Sequence, residues 1–473
     1  MNHNFLSIRV KIKKEDFGND FQWGVTTAAY QIEGAYNVDG KGLSIWDEFT
    51  QKSGKIKDKT TGNIACDHYN RYREDVSIIK NLNFKNYRFS LSWSRILPFG
   101  TKLINPQGID YYNKLIDTCL ENGITPWITL YHWDLPLELQ HKGGWCNREI
   151  LNWFAEFTEL CVKRFGDRVK NWIILNEPMV YTGAGYFLGY HAPGKKGLLN
   201  FLPAMHHATL AQGIGGRIVR DYLPKANIGT TFSCSYIEPT DYKPKNVAAA
   251  RRFDALLNRL YIEPILGKGY PLEELPALRK VERFFQVNDE ANMAFEFDFI
   301  GLQNYTREVI QHSWYVPYIS GKIIEASKRG VKATTMGWEV YPESVYNMLH
   351  QYFKYKKVKN IIVTESGAAF QDNLTDDKTV IDKQRVKYFK EVLEYVLKAK
   401  QEGVNVNGYF VWSLLDNFEW SEGFTQRFGL VYTDYRTQER IIKNSGYWFQ
   451  KFLASQSIKK IIDNQANFLE KEW

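Results

Sequence analysis

Eight strand-like apolar runs, helical periodicity after most of them, and no Gly/Ser/Pro-rich linker or shift of composition predict one architecture. It is α/β: a single (β/α)8 TIM barrel with long βα loops over its C-terminal face. A chain of 473 residues would ordinarily divide into two or three domains, but barrels of this kind exceed that rule.

The runs follow one another in a regular order. Residues 21–30 form the first, and 85–93 the second. A helix is expected over 108–122, where Ile109, Tyr112, Leu115, Ile116 and Cys119 share a face and Gly123 marks the end. Residues 125–133 are again strand-like. A helix over 148–165 runs through Ile150, Phe154, Phe157 and Cys161, with Gly166 after it. Further strands are expected at 169–176, 227–235, 298–305 and 360–365. The helix over 383–400, through Val386, Phe389, Val392 and Val396, ends near Gly403, and 406–415 is the last strand. Segments 34–66 and 307–336 read as long loops over the barrel mouth. The catalytic domain is expected over 16–453, after an N-terminal extension (1–15) and before a polar tail (454–473).

Composition narrows the class. Hydrophobic residues make up 44% and charged residues 24%, the balance of an ordinary globular domain. Aromatic residues reach 15%, enough to ask whether some offer flat faces to sugar rings. The excess of 61 Lys+Arg over 53 Asp+Glu is scattered, so the patch that nucleic-acid binding requires is absent. Five cysteines at irregular spacing, without a Cys-x-x-Cys pair, point to free thiols in a reducing compartment rather than a disulfide framework or zinc site. The N-terminal 20 residues hold no apolar stretch of signal-peptide length, and no run is long enough to span a bilayer. A cytoplasmic protein with no membrane partner, metal or cofactor is therefore expected. The oligomeric state is left open.

Two acids carry the chemistry. Asn176-Glu177-Pro178 closes the apolar run Trp172-Ile173-Ile174-Leu175, and Thr364-Glu365-Ser366-Gly367 closes Ile361-Ile362-Val363. An unpaired buried charge is costly, so an acid beside a buried strand calls for a reason. In a barrel the C-terminal strand ends face one another across the mouth, and chemistry belongs there. Two carboxyls so placed suit a retaining glycosidase, one donating a proton and the other attacking the anomeric carbon. Gln31, Arg88, His132, Asp134, Asn176, Tyr305, Trp412 and Glu419 also fall at strand ends.

These residues lie in stretches that resemble family 1 of the glycoside hydrolases, the β-glucosidase family. The matching pieces are FQWGVTTAAYQIE at 21–33, YRFSLSWSRILP at 87–98, TLYHWDLP at 129–136, NEP at 176–178, TESG at 364–367 and VWSLLDNFEW at 411–420. Six motifs in family order are specific, where NEP alone is weak. The resemblance implies Glu177 as acid/base and Glu365 as nucleophile, with Arg88 and Tyr305 keeping Glu365 ionised. It implies Asn176 at the sugar 2-hydroxyl, Gln31, His132 and Trp420 at the 3-hydroxyl, and Glu419 at the 4- and 6-hydroxyls. Trp412 would be the sugar platform, joined to Ser413 by a cis peptide, and Trp338 would stack on the leaving-group side. Two positions depart from the family pattern: Ser366 follows the nucleophile where Asn is usual, and Gln303-Asn304-Tyr305 replaces Asn-Tyr-Tyr.

The function implied is a retaining β-D-glucosidase acting on cello-oligosaccharides or aryl and alkyl β-glucosides. Galactoside, fucoside or mannoside preference on the same site is the alternative, and a non-catalytic glycan- or protein-binding barrel the remote one. The acids Glu419 and Glu422 stand where a phosphosugar enzyme would grip phosphate, which favours a neutral sugar substrate.

Overall fold

The computed structural model describes residues 12–454. Most of the expected N-terminal extension and all but the first residue of the polar tail lie outside them. Eight parallel strands close on themselves: β1 (Gln22–Thr26), β2 (Asn86–Ser90), β3 (Thr125–Tyr131), β4 (Asn171–Asn176), β5 (Asn227–Ser233), β6 (Phe299–Gln303), β7 (Ile361–Ser366) and β8 (Val406–Trp412). Each pairs with its sequence neighbours. Closure comes from β1 against β8, with Gln22 opposite Gly408 and Thr26 opposite Trp412. All eight expected strands are present, and the chain is a (β/α)8 barrel.

Helices occupy the crossovers: α1 (His68–Asn81), α2 (Pro106–Glu121), α3 (Ile150–Phe165), α4 (Leu198–Tyr222), α5 (Pro244–Asp254), α6 (Glu343–Phe353), α7 (Lys383–Gln401) and α8 (Asn444–Leu453). Their inward faces follow the periodicity. In α2, Ile109, Tyr112, Leu115, Ile116 and Cys119 are all buried, and Pro106 opens the helix where its missing N–H costs nothing. Within α7, Phe389, Val392 and Val396 are buried, while Val386 is only half-buried.

The barrel interior is filled, not hollow. Trp127 on β3, Ile173 on β4, Phe299 on β6, Ile362 on β7 and Phe410 on β8 pack together, with the Trp127 ring 5.4 Å from Phe299 and 5.0 Å from Phe410. Trp127 Nε1 donates to Asn86 Oδ1 at 3.0 Å, so its one polar atom is satisfied. On β1, any side chain at Gly24 would collide with the Phe410 ring, so the strand approaches the plug only as glycine.

Strand ends fall short of the sequence reading. The expected tails of the first two runs leave the ladder and turn into short helices, Ala29–Ile32 and Trp93–Ile96. Segment 307–336 is also not all loop. Arg307–His312 pairs in parallel with Tyr236–Pro239 and antiparallel with Gly321–Ile323, making a small outer sheet. The two parallel partners come from different βα connections, so no local pattern announces their pairing.

Phe410→Ala should empty the centre of this plug and lower stability by about 3–5 kcal/mol. A clear drop in the thermal midpoint, followed by circular dichroism, is the expected result.

Candidate active site

Both acids sit where the β-ladder breaks register. Pairing of β4 with β5 shifts between Ile173 and Asn176, and β7 shifts against both neighbours after Val363. Such irregularities at barrel rims re-aim side chains. Glu177 is further turned by a left-handed backbone, φ 46°, before Pro178 opens a short helix. On the other side, Gly367 lies so close to the Trp412 carbonyl oxygen that a Cβ there would clash, which accounts for the glycine ending TESG.

A cavity of about 410 Å3 opens at this end of the barrel. Its lining includes Glu177, Glu365, His132, Tyr305, Trp338, Trp412, Glu419 and Trp420. Gln31, Arg88 and Asn176 are not among the lining residues; they hold lining groups from behind. Arg88, fully buried, donates from Nη1 to Glu365 Oε1 at 2.5 Å and from Nε to Thr129 Oγ1 at 3.0 Å. Its Nη2 donates to Asn176 Oδ1, which also accepts from Gln303 Nε2 at 2.8 Å and Thr231 Oγ1 at 3.1 Å.

Those three donors fix the Asn176 amide with its nitrogen turned to His132. Nδ2 therefore donates to His132 Nε2 at 3.0 Å. Burial, and then the Arg88 charge, push the imidazole well below its ordinary pKa. A neutral ring accepting at Nε2 carries its proton on Nδ1. That buried Nδ1 has no protein partner.

The two acids share burial but not company. Glu365 accepts from Arg88 and from Tyr305 Oη at 2.7 Å. Burial raises its pKa, and the cation and the phenol oppose the rise. Glu177 is pushed well above the carboxylate range, first by burial and then by the charge of Glu365, against weaker opposition from Ser233 and Arg88. Its Oε1 is buried without a partner. Glu177 is the more basic carboxylate of the pair.

The opposite wall is aromatic. The Trp412–Ser413 peptide is cis, as the resemblance implies. Trp420 packs on Trp46 at 4.7 Å and Trp133 at 4.5 Å, and stacks on Tyr30 at 6.2 Å. Gln31 Nε2 donates to Asn417 Oδ1 and the Phe418 carbonyl, both at 2.9 Å, and to Glu419 Oε2 at 3.4 Å, leaving its Oε1 unpartnered. Burial, followed by the charges of Glu365 and Glu422, pushes Glu419 up to about 8. Trp338 is half-buried, 5.5 Å from Tyr305.

Several lining residues had no signal in the motifs. Ser233, the last residue of β5, hydrogen-bonds Glu177, and only its place at a strand end could have marked it. His191 lies in an aperiodic loop before the cis Ala192–Pro193 bond, and burial holds it near pKa 3. Glu308 falls on the outer sheet that sequence did not reveal. Of the two departures, Gln303 still bonds Asn176, while the Ser366 hydroxyl turns to Tyr388 Oη at 3.3 Å. Asp134 does not line the cavity; its buried carboxyl lies among Glu33, Lys41 and Asp47 and is pushed up to about 8, chiefly by burial.

Comparison with known proteins bears directly on this arrangement. The model of glycosyl hydrolase family 1 matches residues 13–458. The chain belongs to that family. It is 43% identical to Beta-glucosidase A of Thermotoga maritima over 451 residues, covering 95% of this chain and 100% of the relative. A 1,4-beta-D-glucan glucohydrolase of Thermotoga neapolitana is also 43% identical, covering 93% of this chain and 99% of its own length. The solved structure of beta-glucosidase from Thermotoga maritima in complex with deoxynojirimycin superposes with a TM-score of 0.89 at 44% identity, over 92% of this chain and 98% of that one. As a family 1 member the protein is a retaining glycoside hydrolase, an enzyme that cleaves O-glycosyl bonds. Among the described residues no helix is long and apolar enough to cross a membrane.

Arg88→Gln removes the cation that opposes protonation of Glu365. The Glu365 pKa should rise, by about a unit or more for a charge lost at this range. Carbon-13 titration of labelled glutamate carboxyls checks it; an unmoved Glu365 resonance would show that Arg88 does not set its charge.

Proposed function

We propose that the protein is a retaining β-D-glucosidase that removes terminal non-reducing glucosyl residues from cello-oligosaccharides or from aryl and alkyl β-glucosides. One observation carries the reading. Of two buried carboxyls in one cavity, Glu365 is held by a cation and a phenol, while Glu177 has neither a salt bridge nor a partner for Oε1. The first is suited to remain a carboxylate, the second to hold a proton. The relatives' names, Beta-glucosidase A and 1,4-beta-D-glucan glucohydrolase, supply the sugar.

In the first step a Glu365 oxygen attacks the anomeric carbon. The glycosidic C–O bond breaks as Glu177 gives its proton to the leaving oxygen. In the second, water attacks that carbon, Glu177 takes the water proton, and Glu365 departs as the free carboxylate. Carboxyl groups about 5–5.5 Å apart belong to this retaining course. We assign Gln31 Oε1, His132 Nδ1–H, Trp420 and Glu419 to the sugar hydroxyls, Asn176 to the 2-hydroxyl, Trp412 to the sugar face and Trp338 to the leaving group. The free thiols Cys66, Cys119, Cys146, Cys161 and Cys234 support a reducing, cytoplasmic location.

The two acids are separable by rescue. Glu365→Gly should lose about four orders of magnitude or more in kcat on every substrate. Given an α-glucosyl fluoride, which mimics the missing intermediate, it should join glucose to an acceptor sugar. Glu177→Ala should keep its first step on aryl glucosides with good leaving groups, which need little protonation. Unactivated substrates should lose about 10²–10⁴-fold. Azide should then release the β-glucosyl azide. Equal losses on both substrate types, with no rescue of either variant, would remove support for these roles.

A further inference from the structure

The strands β1, β3 and β8 and their loops carry Gln31, His132, Trp412, Glu419 and Trp420 on one side of the mouth. Across the barrel, β5 and β6 continue into the outer sheet, and this second wall contributes Ser235, Thr306, Glu308 and Trp338 to the same cavity. Glu177 stands beside it, bonded to Ser233 at the end of β5. With the sugar ring against the first wall, the group leaving from Glu177 meets the second.

Glu308 differs from the charged residues Glu238, Arg307, Arg329 and Glu339 near it. Arg307 is bonded to Glu238 and, through Nε at 2.9 Å, to Glu339. Arg329 pairs with Glu339 at 2.6 Å. The Glu308 side chain, half-buried at the cavity edge, makes no hydrogen bond or salt bridge through its carboxyl to any described residue. Burial pushes its carboxyl up to about 7, with Arg329 opposing and Glu339 adding to the rise. A carboxyl withdrawn from water without a partner is costly, and a ligand that supplies hydroxyl donors removes the cost.

Resting on the glucosidase reading above, we propose that Glu308 is the specificity-determining residue of the leaving-group side, accepting hydrogen bonds from the hydroxyls of a sugar leaving group. Trp338 offers a flat face on the same wall, and the carboxyl distinguishes a hydroxylated ring from a plain aromatic one. A site built to bond a hydroxyl discriminates strongly against a substrate that lacks it. The effect belongs in the first step, because the glycosyl-enzyme that follows is identical for every glucoside.

The test compares kcat/KM on cellobiose with kcat/KM on p-nitrophenyl β-glucoside, whose leaving group has no free hydroxyl to offer. Glu308→Leu should lower the cellobiose-to-aryl ratio about tenfold, and Glu308→Ala should do the same in case leucine disturbs folding. Glu308→Gln, which still presents a carbonyl oxygen, should keep the ratio within about threefold of the unmodified enzyme. A ratio unchanged in the leucine and alanine variants, or an equal loss on both substrates in both, would overturn the proposal. An unmodified enzyme inactive on every β-glucoside would instead overturn the glucosidase reading on which it rests.

Discussion

The mouth of this barrel is organised around one guanidinium. Arg88 rises from β2 and bonds Thr129 on β3, Asn176 on β4, and the Thr364 carbonyl and Glu365 on β7. A buried arginine is costly unless its donors are used, and here they tie four of eight strands together where their ladders end. The consequences run outward by simple bonding logic. The cation orients the Asn176 amide, the amide claims His132 Nε2, and the imidazole is left with its proton on Nδ1. One fixed charge thus sets an amide, a tautomer and a carboxylate.

The loop after β8 depends on a second buried network. Asp416, four residues beyond Trp412, accepts from Lys443 Nζ and Arg427 Nη1, both at 2.6 Å, and from the Gly429 amide at 2.9 Å. Lys443 also bonds Asp372, which pairs with Arg385. These groups are charged and withdrawn from water, so each needs all of its partners; losing one leaves the others uncompensated. Because the cluster joins α7, α8 and the connections after β7 and β8, the positions of Asn417 and Glu419, and through them Gln31, follow from packing far behind the cavity. A rigid scaffold of this kind fixes the polar groups at the cavity before any ligand enters.

Much of this was legible in the sequence, and the failures are instructive. Strands such as β3, β4 and β7 are buried on both faces, so they appear as nearly continuous apolar runs. The acids were visible because Glu177 and Glu365 interrupt such runs. Strand ends were overread at Ala29 and Trp93, since residues that leave a ladder for a short helix keep an apolar character. The outer sheet was missed because Arg307–His312 and Tyr236–Pro239 pair only once β5 and β6 have brought them together. Glu308 was missed for the same reason. Ser366 shows the converse: a departure obvious in sequence, whose structural result is a bond to Tyr388 within the buried shell.

Depth does not distinguish the two acids. Both are buried, and burial raises the pKa of both. What separates them is the list of partners. Arg88 and Tyr305 each donate a bond to Glu365, so its charge is matched in place. That charge raises Glu177 further, because two like charges facing one cavity repel. In the roles proposed above, holding the proton on Glu177 is therefore a consequence of keeping it off Glu365. In the first step proposed above, a covalent bond to Glu365 would remove the repulsion that raises Glu177, and the Glu177 pKa would fall as the leaving group takes the proton. The same cation that fixes the frame of the site thus also makes the two carboxyls unlike.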